Sequence, residues 1–166
     1  GLKETYVKKL QYGKMDKLKY LSLGLNVIQN GKEKASPVTV LDLQKSKNIA
    51  ELSVTGCRIN KLDLSSVNKT LRLASITQSG KYPIKQVRLG KMAALKGLSV
   101  SAKCAAIDAS KCSRLNTLEC ASYGIFKVKL PKSVQYLTLT SLDKKGCKSL
   151  KLSNCKKLKA LKVIGC

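Results

Sequence analysis

A short pattern of hydrophobic residues, apolar-x-x-apolar-x-apolar, recurs along almost the whole chain. Because its last two apolar positions are two residues apart, both side chains point to the same face of a short strand. Two sets of this pattern alternate without a break, and we name them strand A and strand B. The strand A set is Leu18/Leu21/Leu23, Ile49/Leu52/Val54, Asn68/Leu71/Leu73, Leu95/Leu98/Val100, Leu115/Leu118/Cys120, Val134/Leu137/Leu139 and Leu158/Leu161/Val163. The strand B set is Val38/Leu41/Leu43, Ile59/Leu62/Leu64, Ile84/Val87/Leu89, Cys104/Ile107/Ala109, Ile125/Val128/Leu130 and Cys147/Leu150/Leu152.

The alternation of the two sets predicts a solenoid. One strand A plus one strand B takes about 19 to 27 residues, which is the length of a short solenoid repeat. A single turn cannot bury its apolar side chains alone, whereas turns stacked at roughly 4.8 Å share a continuous core. We therefore predict a β-dominated solenoid of about seven turns, with two short parallel strands per turn and little or no helix.

The repeats extend over residues 15–166, which we assign to a single solenoid domain. Residues 1–14 are expected to be an N-terminal cap or the remnant of a purification tag. Three stretches break the period, at residues 24–36, 75–83 and 141–146. Such insertions either belong to a binding surface or are tolerated variation in length, and both interpretations stay open. The last turn has no visible cap, which leads to the hypothesis of end-to-end self-association.

The segments 49–57 (IAELSVTGC) and 154–166 (NCKKLKALKVIGC) resemble leucine-rich repeats. The resemblance covers residues 15–166 and is best with the short, Lys-rich repeats of surface proteins from Gram-positive gut bacteria. It implies a leucine-rich-repeat solenoid in an exported protein, located outside the cell or at its surface. In such repeats the sheet formed by strand A is the concave face that usually binds the ligand. The chain departs from the family in its asparagine ladder, which is largely missing or replaced by cysteine.

Six of the seven cysteines fall in pairs at equivalent positions of the repeat, among them Cys57 and Cys166, which each follow strand A by three residues. Cys112 and Cys155 each lie three residues after strand B, and Cys104 and Cys147 each open it. We expect such ladder positions to point inward as small buried hydrophobes. The chain contains no histidine, which excludes a histidine base and a His-ligated metal site, and it has no C-x-x-C pair. We therefore predict no catalytic residue, no metal and no cofactor.

The chain is strongly basic, with 33 Lys and Arg against 9 Asp and Glu and a formal net charge of +24. One interpretation is a solvated surface, and the other is adhesion to polyanions such as cell-wall teichoic acids, acidic glycans or nucleic acid. Lysine dominates over arginine, and no basic cluster alternates with aromatic residues, so we do not expect a nucleic-acid partner. No stretch approaches the roughly 20 apolar residues that a membrane helix needs.

The outward positions of strand A, beside the apolar pairs, are poor in basic residues and rich in hydroxyl groups. The third strand A pattern places Thr70, Arg72 and Ala74 in this outward set. Hydroxyls can contact a glycan or a peptide, and Tyr136 offers an aromatic anchor. The candidate ligand-binding residues are Glu51, Ser53, Arg72, Ser99, Ser101, Glu119, Tyr136, Thr138 and Thr140.

No constellation of reactive groups predicts an enzyme. Glu51 and Glu119 would lie about three turns, roughly 14 Å, apart, which exceeds the carboxylate separation of glycosidases. There is no Gly-rich phosphate loop and no nucleophile elbow. We therefore predict a non-catalytic adhesion or recognition module of an exported cell-surface protein, binding a protein or glycan on the strand A face. The alternative is a non-specific polyanion binder that acts through the Lys-rich surface.

Overall fold

The structure is a computed structural model that describes residues 9–10, 14–24, 27–29, 32–34, 36, 38–79, 81–124, 126–143 and 146–165. Its strands are β1 (Lys9–Leu10), β2 (Tyr20–Gly24), β3 (Val27–Gln29), β4 (Lys32–Lys34), β5 (Val40–Leu41), β6 (Glu51–Thr55), β7 (Lys61–Asp63), β8 (Leu73–Thr77), β9 (Gln86–Arg88), β10 (Gly97–Ser101), β11 (Ala106–Asp108), β12 (Thr117–Ser122), β13 (Phe126–Lys129), β14 (Tyr136–Ser141), β15 (Cys147–Ser149) and β16 (Ala160–Ile164). A single 3-10 turn, Ser65–Val67, is the one helical element of this part of the chain. The prediction of a β-dominated, nearly helix-free protein is confirmed.

The strand A segments form a seven-stranded parallel sheet in the order β16-β14-β12-β10-β8-β6-β2. Equivalent residues of successive strands are paired, so that Leu98 lies beside Leu118 and Leu118 beside Leu137. Such pairing places one inward leucine directly against the next and builds the continuous core that a single turn lacks.

The first strand B segment, β5, pairs with β1, which lies in the stretch predicted to be a cap, and the other strand B segments form the short parallel ladders β7-β9 and β11-β13-β15. An isolated parallel bridge between Ile84 and Cys104 lies between the last two ladders. Together the two sets of strands form a β-solenoid of about five turns. The stacked parallel architecture is thus confirmed, whereas the predicted number of seven turns is not.

Two of the stretches that break the period are held by defined hydrogen bonds. Within residues 24–36, β3 and β4 form an antiparallel hairpin. Within residues 75–83, Gln78 is buried just after β8, and its side-chain amide accepts a hydrogen bond from the Ile59 backbone N–H (3.0 Å) and donates to the Ile59 carbonyl (2.8 Å) and to the Tyr82 carbonyl. Most of the proposed N-terminal cap, residues 1–8 and 11–13, lies outside the described residues.

The core consists of the inward apolar positions of both strand sets. The last strand A is an exception to the prediction, because Leu161 and Val163 on β16 are each 46% exposed. The side chains of Cys57, Cys104, Cys112, Cys120 and Cys155 are buried, as the ladder interpretation predicts. Burial raises the pKa of the Cys57, Cys104, Cys112 and Cys155 thiols, so these groups stay protonated at neutral pH. The side chain of Cys147 and all of Cys166 lie outside the described residues.

The predicted register of the third strand A unit is wrong. In β8 the residues that pair with inward Leu52 and Val54 are Ala74 and Ile76, so the unit is Leu71/Ala74/Ile76 rather than Asn68/Leu71/Leu73. The segment between Leu64 and Leu71 contains the 3-10 turn and is one residue longer than the corresponding segment between Leu43 and Ile49. The sequence pattern did not reveal this shift. The inward residue Ala74 is small, and the outward residue Leu73 is large and apolar like a core residue.

Candidate functional site

The outward residues of the seven-stranded sheet form one continuous surface, which we call the strand A face. Because the strands are paired in register, these residues stack in three rows that cross the sheet. The first row is Tyr20, Glu51, Leu73, Gly97, Thr117, Tyr136 and Ala160; the second is Ser22, Ser53, Ser75, Ser99, Glu119, Thr138 and Lys162; the third is Gly24, Thr55, Thr77, Ser101, Ala121, Thr140 and Ile164.

All the candidate residues except Arg72 lie on this face. Arg72 immediately precedes β8, and Thr70 belongs to the preceding turn, while Ala74 is buried on the inner side of the sheet. These three assignments are corrected by the register shift in β8. The shift replaces them with Leu73, Ser75 and Thr77.

Sequence reasoning missed the contribution of β2. Tyr20 and Ser22 alternate with Leu21 and Leu23, so the period-2 pattern already indicates that they point outward. Tyr20 is 67% exposed, which makes it the most exposed of the large hydrophobic side chains for which exposure is described. Serine occupies the second row in four neighbouring strands, from β2 to β10, and this continuity follows from the observed register of β8, which places Ser75 between Ser53 and Ser99.

The strand A face differs in charge from the chain as a whole. None of its outward positions from β2 to β14 is Lys or Arg, and Lys162 on β16 is the one basic residue of the three rows. Its two carboxylates, Glu51 and Glu119, make no ion pair with any residue that the structure describes. Their strands are three apart in the sheet, roughly 14 Å, so the two groups do not converge on one atom of a ligand.

A shallow groove of about 440 Å³ crosses the first and second rows. Its lining is mostly apolar around Leu73, which is 47% exposed, and Tyr20, Glu51 and Glu119 also line it. Gly97 leaves space for Leu73, since a Cβ atom at Gly97 would lie 2.8 Å from Leu73 Cδ2. The groove therefore offers an apolar contact, an aromatic ring and hydroxyl groups within one surface.

A second recess of about 640 Å³ borders the face where the strands begin, and we call it the basic recess. It is lined by Asp16, Lys19, Tyr20, Asn48, Ala50, Glu51, Lys69, Thr70, Arg72, Ala94, Lys96 and Arg114. Five of these side chains are cationic and two are acidic, so the recess carries a positive charge beside the cation-free part of the face.

Metal-binding clusters and membrane helices are absent from the part of the chain that the structure describes. No three Cys, Asp or Glu side chains there are grouped so that they could hold a metal ion. No helix in the same residues has the length and apolar character needed to cross a membrane. Comparison with protein-family models, curated proteins and solved structures finds no match for this chain.

Proposed function

We propose that the protein is a non-catalytic adhesion or recognition module of an exported cell-surface protein, and that it binds a protein or glycan on the strand A face. The observation that carries the proposal is the absence of Lys and Arg from the outward positions of β2 to β14, in a chain of which 33 of 166 residues are basic. A surface that depended on non-specific attraction to polyanions would have no reason to exclude cations. The distribution instead favours selective contacts through hydroxyl and aromatic groups.

The proposal includes membership of the leucine-rich-repeat proteins, with about seven repeats and a location outside the cell. The alternation of strands A and B and the parallel pairing of equivalent residues support it. Binding rather than catalysis is favoured because the carboxylates of the face are separated and because burial holds thiols such as Cys57 and Cys104 protonated by raising the pKa of each.

The rows of the face provide the contacts that a selective ligand needs. The serines of the second row offer hydroxyl donors and acceptors at the strand spacing of roughly 4.8 Å. Tyr20 and Tyr136 both belong to the first row and are exposed. Tyr20 lines the groove, and Tyr136 pairs with Thr117 at its edge. Exposed aromatic rings are frequent anchors in protein interfaces because they contribute a large contact area with few rotatable bonds.

The proposal is tested by measuring binding to a glycan array and to panels of proteins, teichoic acid and DNA at about 50 and 300 mM salt. We expect a selective ligand whose binding survives the higher salt concentration. Tyr136→Ala is expected to weaken that binding about tenfold. Tyr123→Ala, which removes an exposed tyrosine just beyond β12, is expected to leave it unchanged.

A different result would support the polyanion alternative. Binding that is confined to low salt, and that does not distinguish one polyanion from another, is the behaviour of counterion release from a Lys-rich surface. Such a result, with Tyr136→Ala equal to the wild type, contradicts a role for the strand A face.

A further inference from the structure

The four arginines of the chain divide into two pairs by their surroundings. Arg58 lies over the Tyr82 ring at 4.9 Å from its centroid, and Arg88 forms an ion pair with Asp63 at 3.6 Å. Arg72 and Arg114 have no ion pair or ring contact with any described residue, and both line the basic recess. The two arginines that make no such contact with a described residue therefore line one recess at the edge of the strand A face.

The stacking of turns brings these two arginines together although they are far apart in the sequence. Arg72 precedes β8 and Lys96 precedes β10, and the Lys96 backbone N–H donates to the Arg72 carbonyl at 2.8 Å. The Asn116 N–H donates to the Lys96 carbonyl at 2.9 Å, so the turn that contains Arg114 stacks directly on the turn before β10. Ala94 lines the recess from that middle turn.

The charges that line the recess favour an anionic group. Lys19, Lys69 and Lys96 join the two arginines, and the acidic side chains are Asp16 and Glu51. Asp16 is already engaged with Lys14 at 3.1 Å. A guanidinium group presents a planar fork of donors that matches a carboxylate or sulfate in a bidentate arrangement, which lysine cannot do.

We propose that the basic recess binds the carboxylate or sulfate groups of an acidic glycan whose neutral hydroxyls contact the strand A face. This inference rests on the proposed function and names its ligand class. Tyr20 and Glu51 line both the recess and the groove, so one ligand can occupy the two without interruption. A glycan fits better than nucleic acid because the serines of the second row can form hydrogen bonds with sugar hydroxyls. Tyr20 is also the one aromatic residue that lines the recess, and a single ring cannot stack with successive bases.

The test uses pairs of ligands that differ only in charge, with calorimetry as the measurement. The carboxylate pair is oligogalacturonate and its methyl ester, and the sulfate pair is dextran sulfate and dextran. We expect at least one anionic ligand to bind about tenfold or more tightly than its neutral counterpart, because the neutral ligand cannot form charge-assisted hydrogen bonds with the arginines. The double variant Arg72→Gln/Arg114→Gln is expected to remove this preference.

Two matched variants separate a specific site from general charge. Lys103→Gln/Lys127→Gln removes the same charge from exposed positions away from the recess and is expected to keep the preference. Ala94→Glu places a carboxylate inside the recess and is expected to abolish anion binding, whereas Ala94→Gln, of almost equal size, retains more of it. The melting temperature of each variant establishes that it is folded.

The outcomes distinguish this inference from the proposed function. Equal binding of the charged and neutral glycans, or of a protein ligand alone, overturns the acidic-glycan site and leaves the strand A face as a binding surface. Equal losses in the two double variants show that only total charge matters and overturn the inference. Preferential binding of polyglutamate or single-stranded DNA also overturns it, because the ligand class is then different. Absence of any ligand overturns both proposals.

Discussion

Strand A and strand B share one inward pattern but differ in length, continuity and outward chemistry. The strand A segments have five or six residues and pair through one seven-stranded sheet, whereas the strand B segments have two to four and form separate ladders. Outward residues of strand A are mostly hydroxyl-bearing or small. Those of strand B include Asp63 beside Arg88 and Asp108 beside Lys129, which are joined by ion pairs of 3.6 and 3.2 Å.

This comparison separates the requirements of the fold from those of function. Both sides bury the same kind of side chain, so the core does not explain why their outward residues differ. On strand B, the ion pairs Asp63–Arg88 and Asp108–Lys129 join opposite charges of neighbouring turns, so these four side chains stabilise the protein itself. On the strand A face, Glu51 and Glu119 have no such ion-pair partner among the described residues, which leaves the surface available to contact another molecule.

We expect the largest losses of stability from substitutions of the buried core residues, which strand A and strand B both contribute. Leu98 on β10 and Leu62 on β7 are both almost fully buried, at 2% and 1% exposure. We expect Leu98→Ala and Leu62→Ala each to lower the free energy of unfolding by about 3 kcal/mol, because each leaves a cavity in a continuous core. Urea unfolding monitored by circular dichroism measures both losses. If Leu62→Ala alone lowered the free energy of unfolding by less than about 1 kcal/mol, the strand B side chains would contribute less to the core than those of strand A.

A smaller loss of stability is expected from removing the hydrogen bonds that join the end of a strand A to a strand B unit. Gln78→Leu removes the amide that pairs with the backbone N–H and C=O of Ile59 and leaves these groups without partners. We expect about 2 kcal/mol of destabilisation, since each buried unpaired polar group is costly. Ser79→Ala changes the next side chain, which accepts only an exposed, long hydrogen bond, and serves as the control. Equal stability of the Gln78→Leu variant and the control would contradict this role.

The smallest effect concerns the outward charges of strand B and depends on pH. Partial burial raises the pKa of Asp63, but hydrogen bonds from Ser65 and the charge of Arg88 outweigh it and hold the pKa below its ordinary value of 3.8. The carboxylate therefore contributes stability above that value, and the contribution is lost as the pH falls through the lower pKa of the folded state. We expect Asp63→Asn to cost about 1 kcal/mol at neutral pH, and progressively less below pH 3.8.

Urea unfolding at a series of pH values checks this dependence. Asp16→Asn, which affects an ion pair whose side chains are both well exposed, is the control and should change stability little at any pH. A destabilisation by Asp63→Asn that stays constant down to acid pH would contradict the assignment of a lowered pKa.

The solenoid architecture could be predicted from the sequence because period-2 apolar pairs specify which side of each strand faces the core. The prediction failed at β8, where hydrophobicity favours Leu73 over Ala74 as the core residue. Only the observed pairing of Ala74 with Leu52 resolves the register, because alanine is too small to mark a buried position by itself.

The site was predictable in part for a related reason. Alternation with Leu52, Leu98 and Leu137 identified most outward positions of strand A. The basic recess was not predictable, because Arg72 and Arg114 line it together only through the observed stacking of the turns before β8, β10 and β12. Only the correct register of β8 shows that Arg72 precedes the strand and does not belong to the strand A face.

The central claim, that the strand A face binds the ligand, is tested most directly by placing one lysine on each side of the solenoid. Ser99→Lys adds a cation to the middle of the second row of the strand A face, and Ala106→Lys adds the same charge to an exposed position on β11. Both variants are to be titrated with the ligand that the wild type selects at about 300 mM salt. We expect Ser99→Lys to weaken binding about tenfold or more, because the long side chain fills the groove that Ser99 lines, and Ala106→Lys to leave binding unchanged. Equal affinities for the two variants would contradict the claim.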